Sequence, residues 1–154
     1  MKSRAVLEIN LKLLKKNAQT LKSIKPQSFF CPMLKADAYG HGAIPIAKAL
    51  WDIGVKQVGV LNIDEAWPIR KALAQMDILI FSPLIHKEDL SWIVKENLTV
   101  VCSHWMGLQN LAKLQKKTRI HLKFDTGFSR LGFNLNSVSK ILDFLKQNPQ
   151  LRLE

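Results

Sequence analysis

Residues 58–81 read VGVLNIDEAWPIRKALAQMDILIF, and this stretch contains the pattern that decides the fold. Two short apolar runs, at 58–61 and 78–81, flank a segment in which Ile69 and Leu73 recur at helical spacing. The runs are almost continuously hydrophobic, which is typical of strands that are covered on both faces. The stretch therefore predicts a strand, a helix and a second strand.

The same alternation recurs along the whole chain. Further apolar runs lie at 29–34, 98–102 and 120–124, and a sixth run starts at Leu151. Apolar residues at helical spacing occupy the segments between the runs, with Asn10, Asp64 and Ser137 as the expected N-caps. This alternation predicts an α/β fold with a parallel sheet. A doubly wound sheet and a (β/α)8 barrel both fit, but no Gly-x-Gly-x-x-Gly follows a strand, which disfavours a dinucleotide-binding domain.

The composition is that of a globular chain. Of the 154 residues, 47% are hydrophobic and 23% are charged, which argues against disorder. No apolar run approaches the roughly 18 residues of a membrane span, and Glu8 interrupts the first apolar stretch, so neither a membrane protein nor a secretory signal is expected. Two cysteines, Cys31 and Cys102, fit reduced thiols in the cytoplasm. We expect no metal site, because no histidine or cysteine spacing resembles one.

The charge is strongly basic. Twenty-three basic residues against twelve acidic ones give a net charge of +11, and a basic surface attracts anions. The densest groups of lysines, at 12–16 and 113–117, lie in helical patterns, where a solvated helix face is the ordinary explanation. No nucleic-acid-binding motif accompanies the charge, so no nucleic-acid partner is expected, although a basic nucleic-acid-binding module stays open as an alternative.

Residues 32–42, PMLKADAYGHG, contain the first candidate site. Lys35 lies at the carboxyl end of an apolar run, which is where α/β barrels place catalytic groups. Partial removal of an amine from water favours its neutral, nucleophilic form. Gly40 and Gly42 permit a sharp turn, and Tyr39 places a phenol near Lys35. From the pattern alone, a strand-end lysine that extends to solvent is the simpler interpretation.

Residues 121–133, HLKFDTGFSRLGF, contain the second candidate site. Lys123 lies within an apolar run, and a buried lysine needs a partner or a chemical modification. Arg130 offers a planar fork of donors that suits a carboxylate or a phenolate oxygen. An ion pair between Asp125 and Arg130 that closes the turn is an equally good interpretation.

Four segments resemble the alanine racemase family, in the same order along the chain. Residues 35–42, KADAYGHG, resemble its pyridoxal-phosphate attachment motif, and residues 122–133 resemble a later motif of its barrel. Residues 4–11 resemble its N-terminal segment, and residues 63–66, IDEA, resemble its usual Leu-Asp-Glu-Ala. The resemblance implies a (β/α)8 TIM barrel that binds pyridoxal 5′-phosphate and interconverts L-alanine and D-alanine, which supplies D-alanine for peptidoglycan.

The resemblance also implies a role for each candidate residue. Lys35 is then the Schiff-base lysine and the base on one face of the substrate Cα carbon. Tyr39 contacts the cofactor phosphate, and Arg130 binds the phenolic oxygen of the cofactor and the substrate carboxylate. Lys123 corresponds to a lysine that several members carry as a carbamate. In the family, the opposing base is a tyrosine from a C-terminal β domain, contributed by the partner subunit of a homodimer.

The 154 residues correspond to the N-terminal portion of such a barrel domain. About five to six strand–helix units are present where a barrel has eight, and nothing corresponds to the C-terminal β domain. We therefore expect residues 1–154 to form a truncated, partial barrel, and we expect no racemisation by the isolated chain. A non-catalytic carrier of pyridoxal phosphate is an alternative, but such proteins share the strand-end lysine without the Tyr-Gly-His-Gly continuation at 39–42.

Overall fold

The computed structural model describes residues 5–82 and 87–154. The central feature of this part of the chain is a sheet of five parallel strands: β1 Gln57–Val60, β2 Asp77–Ile80, β3 Thr99–Cys102, β4 Thr118–Leu122 and β5 Leu151–Leu153. The order of the strands in the sheet is their order in the chain. A doubly wound sheet reverses its strand order at one point, whereas this sheet does not. The structure therefore agrees with the sheet of a partial barrel and excludes the doubly wound alternative.

Helices precede β1 and connect the strands that follow it. They are α1 Leu11–Ile24, α2 Lys35–Gly40, α3 Ala43–Asp52, α4 Ile63–Ala72, α5 Lys87–Lys95, α6 Trp105–Lys113 and α7 Val138–Gln147, with a 3-10 turn at Leu135–Ser137. A helix lies between each pair of neighbouring strands, as parallel pairing requires. None of the helices in the described ranges is long and apolar enough to cross a membrane.

The hydrophobic core lies between the sheet and the helices. Alternate strand residues, among them Val58, Ile78, Val100 and Ile120, are completely buried in it. The residues between them point to the other face of the sheet because side chains alternate along a strand. That second face carries polar groups near the start of the strands, including Arg119, whose Nη2 lies 2.8 Å from Oδ1 of Asp77.

The predicted strand at 29–34 is the main local difference. Only one parallel bridge forms there, between Met33 and Gly59. The amide of Gly59 donates to the carbonyl oxygen of Pro32 at 2.8 Å, and the amide of Leu34 donates to that of Gly59 at 2.7 Å. Pro32 has no amide hydrogen to donate, and the chain changes direction immediately after Leu34, so the pairing cannot extend. The segment nevertheless follows β1 in parallel.

The predicted helix start is confirmed for α1, corrected for α4, and confirmed in position but without a capping hydrogen bond for α7. The side chain of Asn10 accepts from the amide of Leu13 and caps α1, as predicted. Asn62 caps α4 by accepting from Glu65 at 3.1 Å, whereas the predicted cap, Asp64, lies in the first turn. Ser137 precedes α7 but makes no side-chain cap hydrogen bond, because it is already in a helical conformation at the end of the 3-10 turn.

The difference in burial between two residues that pair in the sheet predicts that truncating them lowers the free energy of unfolding by different amounts. Ile120 of β4 is completely buried, and its partner in register, Leu153 of β5, is 51% exposed. We expect Ile120→Ala to lower the free energy of unfolding by about 2–5 kcal/mol, because it leaves a cavity in the core. The matched control, Leu153→Ala, should change it by only about 0.5 kcal/mol. Urea unfolding measures both, and equal effects would contradict the placement of the core.

Candidate active site

A cavity of about 400 Å³ lies at the carboxyl ends of the strands. Its polar lining comes from Lys35, Tyr39, Ser103, Lys123 and Arg130. Its volume falls in the range of small-molecule sites, which is about 300–1,000 Å³. All four residues that the sequence singled out, from two motifs almost ninety residues apart, therefore line one cavity, and Ser103 joins them.

Lys35 is the first residue of α2 and is half-buried at the cavity wall. Its Nζ lies 5.9 Å from the centroid of the Tyr39 ring, so the amine and the phenol share one side of the cavity. The phenol is 59% exposed, so its hydroxyl is accessible to a ligand. The backbone before Lys35 is fixed to β1 through the hydrogen bond from Leu34 to Gly59.

The segment α2 has the opposite handedness to the other helices. Four consecutive residues, Ala36 to Tyr39, have φ between 51° and 56° and ψ between 40° and 49°. This left-handed conformation costs about 1–2 kcal/mol per residue that has a Cβ atom. The sequence predicted that Gly40 and Gly42 would make the turn. The structure shows that the four residues before Gly40 already form the turn, which no local sequence pattern indicated.

Hydrogen bonds around Asp37 hold the left-handed turn in place. The carboxylate of Asp37 accepts from the amide of Ala43 at 2.6 Å, and its carbonyl oxygen accepts from the amide of Gly42 at 2.9 Å. The amide of Ala38 donates to Leu34 at 2.9 Å. These bonds connect the turn to the start of α3 and to the residue before Lys35, and they help to offset the backbone strain.

Arg130 lies on a loop that its own backbone closes. The amide of Phe133 donates to the carbonyl oxygen of Lys123 at 2.8 Å, and the amide of Asp125 donates to that of Phe133 at 3.0 Å. Gly132 has φ 138°, and a Cβ atom there would collide with the backbone of residues 124 and 125. The loop therefore requires glycine at this position, and it holds Arg130 over the cavity.

Asp125 stabilises this loop through the backbone. Its Oδ1 accepts from the amides of Gly127 and Ser129, both at 3.0 Å. The hydrogen bonds from Ser129 and then Gly127 lower the pKa of the Asp125 carboxyl. The ion pair between Asp125 and Arg130, which was the alternative interpretation of this motif, is not formed. Instead, the Arg130 guanidinium lies 4.9 Å from the centroid of the Phe128 ring.

Lys123 is not buried, contrary to the expectation from the sequence. It follows the last residue of β4 and its side chain is exposed, so the argument from a buried lysine is wrong. The alternation of the strand directs it into the cavity on the side opposite the core. Its backbone still continues the sheet, because its amide donates to the carbonyl oxygen of Cys102 at 2.8 Å.

The cavity is electrostatically positive. Lys35, Lys123 and Arg130 line it, and no acidic residue of the described part of the chain does so. Within the same ranges, none of the three cations forms an ion pair. Such an arrangement attracts an anionic ligand, because unpaired cations around a recess add their potentials. The described residues contain no cluster of His, Cys, Asp or Glu that could hold a metal ion.

Ser103 is a site residue that the sequence reasoning missed. It follows β3 and is only 6% exposed, and its hydroxyl has no hydrogen-bond partner among the described residues. A buried hydroxyl is usually paired, so Ser103 places an unsatisfied polar group at the wall of the cavity. Its position one residue after an apolar run was the only signal in the sequence.

The strand order of the sheet and the cavity at its carboxyl edge define this protein as a partial α/β barrel. Comparisons with known proteins then define its family. The family model "Alanine racemase, N-terminal domain" matches residues 9–154. The chain therefore belongs to the alanine racemase family, as the sequence motifs predicted. Alanine racemase from Fusobacterium nucleatum is 37% identical over 145 residues, and that from Methylacidiphilum infernorum is 39% identical over 135 residues.

Solved structures of the family have the same fold. The crystal structure of alanine racemase from E. faecalis matches with a TM-score of 0.85 at 27% identity, over 95% of this chain and 41% of that chain. Alanine racemase from Clostridium difficile matches with a TM-score of 0.82 at 28% identity, over 94% and 39%. The match covers 94% of this chain and 41% of the Fusobacterium protein, and 84% and 35% for the Methylacidiphilum protein. The chain thus spans about two fifths of the length of its relatives.

The lowered pKa of Asp125 predicts a pH-dependent effect on stability. A carboxylate whose pKa is lower in the folded state stabilises the fold above its ordinary pKa of 3.8, and this stabilisation is lost as the pH falls through the lowered value. We expect Asp125→Ala to lower the Tm at about pH 7, and this difference from the wild type to disappear in strong acid.

Thermal melts followed by circular dichroism measure this effect. The control is Asp143→Ala, which removes an exposed ion pair with Lys146 and should change the Tm less. A Tm difference for Asp125→Ala that persists unchanged in strong acid would contradict the assigned role of the carboxylate.

Proposed function

We propose that this chain provides the cofactor-binding part of an alanine racemase that uses pyridoxal 5′-phosphate. One observation carries the proposal: in a chain of this family, Lys35, Tyr39, Lys123 and Arg130 line a single positive cavity at the carboxyl edge of the sheet. A non-catalytic carrier of the same cofactor shares the strand-end lysine but not the Tyr-Gly-His-Gly continuation at 39–42. Membership of the alanine racemase family favours the racemase.

The residues of the cavity fit the chemical groups of this cofactor. Pyridoxal phosphate carries an aldehyde, a phosphate and a phenolic oxygen, which call for an amine and for donors to two anionic oxygens. Lys35 offers the amine, Tyr39 a phenol and Arg130 a guanidinium, and no acidic side chain from the described ranges opposes them. When bound, the cofactor draws electrons from the Cα carbon of an amino acid through a conjugated ring.

Each residue then has a defined task. The Lys35 amine would hold the cofactor through its aldehyde and, when free, would hold or accept the proton at the alanine Cα on one face. The Tyr39 hydroxyl would donate to the phosphate. The Arg130 guanidinium would donate to the phenolic oxygen and to the substrate carboxylate, for which its planar fork is suited.

Racemisation also needs a proton donor and acceptor on the opposite face of Cα. The chain has one tyrosine, Tyr39, and the proposal already uses it on the side of Lys35. In the alanine racemase family this group is a tyrosine of a C-terminal β domain from the other subunit of a homodimer, and we assign the second acid–base group to such a residue, outside these 154 residues. We accordingly expect no turnover by this chain alone.

We further propose that Lys123 is carbamylated. Three unpaired cations around one cavity repel one another, and a carbamate on Lys123 replaces one positive charge by a negative one beside Arg130. In this reaction the neutral Lys123 amine attacks the carbon of carbon dioxide, the N–C bond forms as one C=O π pair moves to oxygen, and the nitrogen loses a proton to water. The carbamate then accepts hydrogen bonds from Arg130 and orients it.

Cofactor trapping tests the proposed function. The chain is incubated with pyridoxal phosphate and reduced with borohydride, and the modified lysine is mapped by mass spectrometry. We expect selective labelling of Lys35, because it is the half-buried lysine at the cavity wall. Lys35→Ala should abolish the selective label. Labelling spread over the surface lysines, and unchanged in Lys35→Ala, would overturn the proposal.

Mass spectrometry in bicarbonate buffer tests the modification of Lys123. Chemical trapping of carbamates with an alkylating oxonium reagent should give one stable adduct, which peptide mapping places at residue 123. Lys123→Ala should lose the adduct, and Lys117→Ala, at a surface lysine of the basic group at 113–117, should retain it. A complete absence of the adduct at Lys123, while free amines are detected there, would contradict the proposal.

A further inference from the structure

The motif at 63–66 has no task in the proposed function, yet Glu65 reaches the candidate site. Its Oε1 accepts from the amide of Ala36 at 2.7 Å, and its Oε2 accepts from the amide of Leu61 at 2.7 Å. Both bonds are short, as charge-assisted hydrogen bonds are. One carboxylate therefore bridges the residue immediately after Lys35 to the residue immediately after β1.

This bridge is more than a helix cap. Glu65 is the third residue of α4, and in a capping box the glutamate at this position accepts from the amide of the N-cap residue. Here the N-cap, Asn62, does accept from the amide of Glu65 at 3.1 Å. The glutamate itself bypasses Asn62 and binds Leu61 and Ala36 instead. Its side chain thus joins α4 to the strand end and to the left-handed turn.

The backbone is held by hydrogen bonds on both sides of Lys35, and the bridge provides one of them. On one side of Lys35, the amide of Leu34 is fixed to Gly59 of β1 at 2.7 Å. On the other side, the amide of Ala36 is fixed to Glu65. Ala36 is also the first residue with positive φ, at 51°, so the bond holds the backbone at the point where the strained conformation begins.

We propose that Glu65 is a positioning residue for Lys35. Its carboxylate holds the first amide of the left-handed turn, and through it directs the lysine amine into the cavity. This inference rests on the proposed function for its consequence, which is efficient attachment of pyridoxal phosphate at Lys35. The bridge itself is a property of the cofactor-free chain.

Glu65→Gln is the informative variant. It preserves size, but one of the two acceptor oxygens becomes an NH2 group that faces an amide donor. Asp64→Asn is the matched control, because it removes the same charge from the same helix turn, and Asp64 is exposed. Glu65→Asp is a second variant that keeps the charge but shortens the reach. Circular dichroism verifies that each variant is folded at the temperature of the assay.

Two measurements distinguish the hydrogen bonds of Glu65 from the attachment of pyridoxal phosphate at Lys35. The first is the NMR chemical shift of the amide protons of Ala36 and Leu61 without cofactor. In Glu65→Gln at least one should move upfield, because a hydrogen bond to a carboxylate shifts an amide proton downfield. The second is the concentration of pyridoxal phosphate that gives half-maximal borohydride-trapped label at Lys35. It should rise about tenfold in Glu65→Gln and Glu65→Asp, the effect of losing one charge-assisted hydrogen bond.

The outcomes are distinguishable. Wild-type shifts and wild-type labelling in Glu65→Gln would overturn the inference. Equal loss of labelling in Asp64→Asn would also overturn it, because the effect would then come from the charge at the helix terminus. A wild-type chain that is not labelled at Lys35 would contradict the proposed function instead, and the amide shifts would still decide whether Glu65 holds the turn.

Discussion

The register of the parallel sheet is the constraint on which the rest of the structure depends. Cys102 pairs with Leu122, so the residues that follow them, Ser103 and Lys123, emerge side by side at one edge. The bridge from Met33 to Gly59 places Lys35 at the same edge. Because the strands are parallel, the carboxyl ends of β1 to β4 contribute to one cavity, and the apolar core lies on the other side of the sheet.

The hydrophobic core and the candidate site are built from different segments of the chain. The strands and helices carry the core, whereas the candidate site is built from two connections, the left-handed turn at α2 and the loop that carries Arg130. Both are held by carboxylates that accept from backbone amides: Asp37 and Glu65 at the turn, and Asp125 at the loop. Acidic side chains thus shape the backbone, while the cavity itself is lined by cations.

Most of the fold and of the candidate site is accessible from the sequence, for physical reasons. Buried parallel strands must be apolar and short, so the runs at 58–61, 78–81, 98–102 and 120–124 mark four strands to within two residues. The left-handed turn was not predictable, because alanine, aspartate and tyrosine do not favour it and its support comes from distant residues. The exposure of Lys123 and the bridge made by Glu65 likewise depend on tertiary contacts that no local pattern records.

The left-handed turn also has a consequence for folding. A short peptide with the sequence KADAYGHG has no intrinsic reason to adopt this conformation, since each residue with a Cβ atom prefers the opposite hand. The geometry around Lys35 therefore exists only while α4, β1 and α3 are assembled around it. Under the proposed function, selective reactivity at this lysine therefore reports native tertiary structure, because an unfolded chain presents Lys35 as one amine among many.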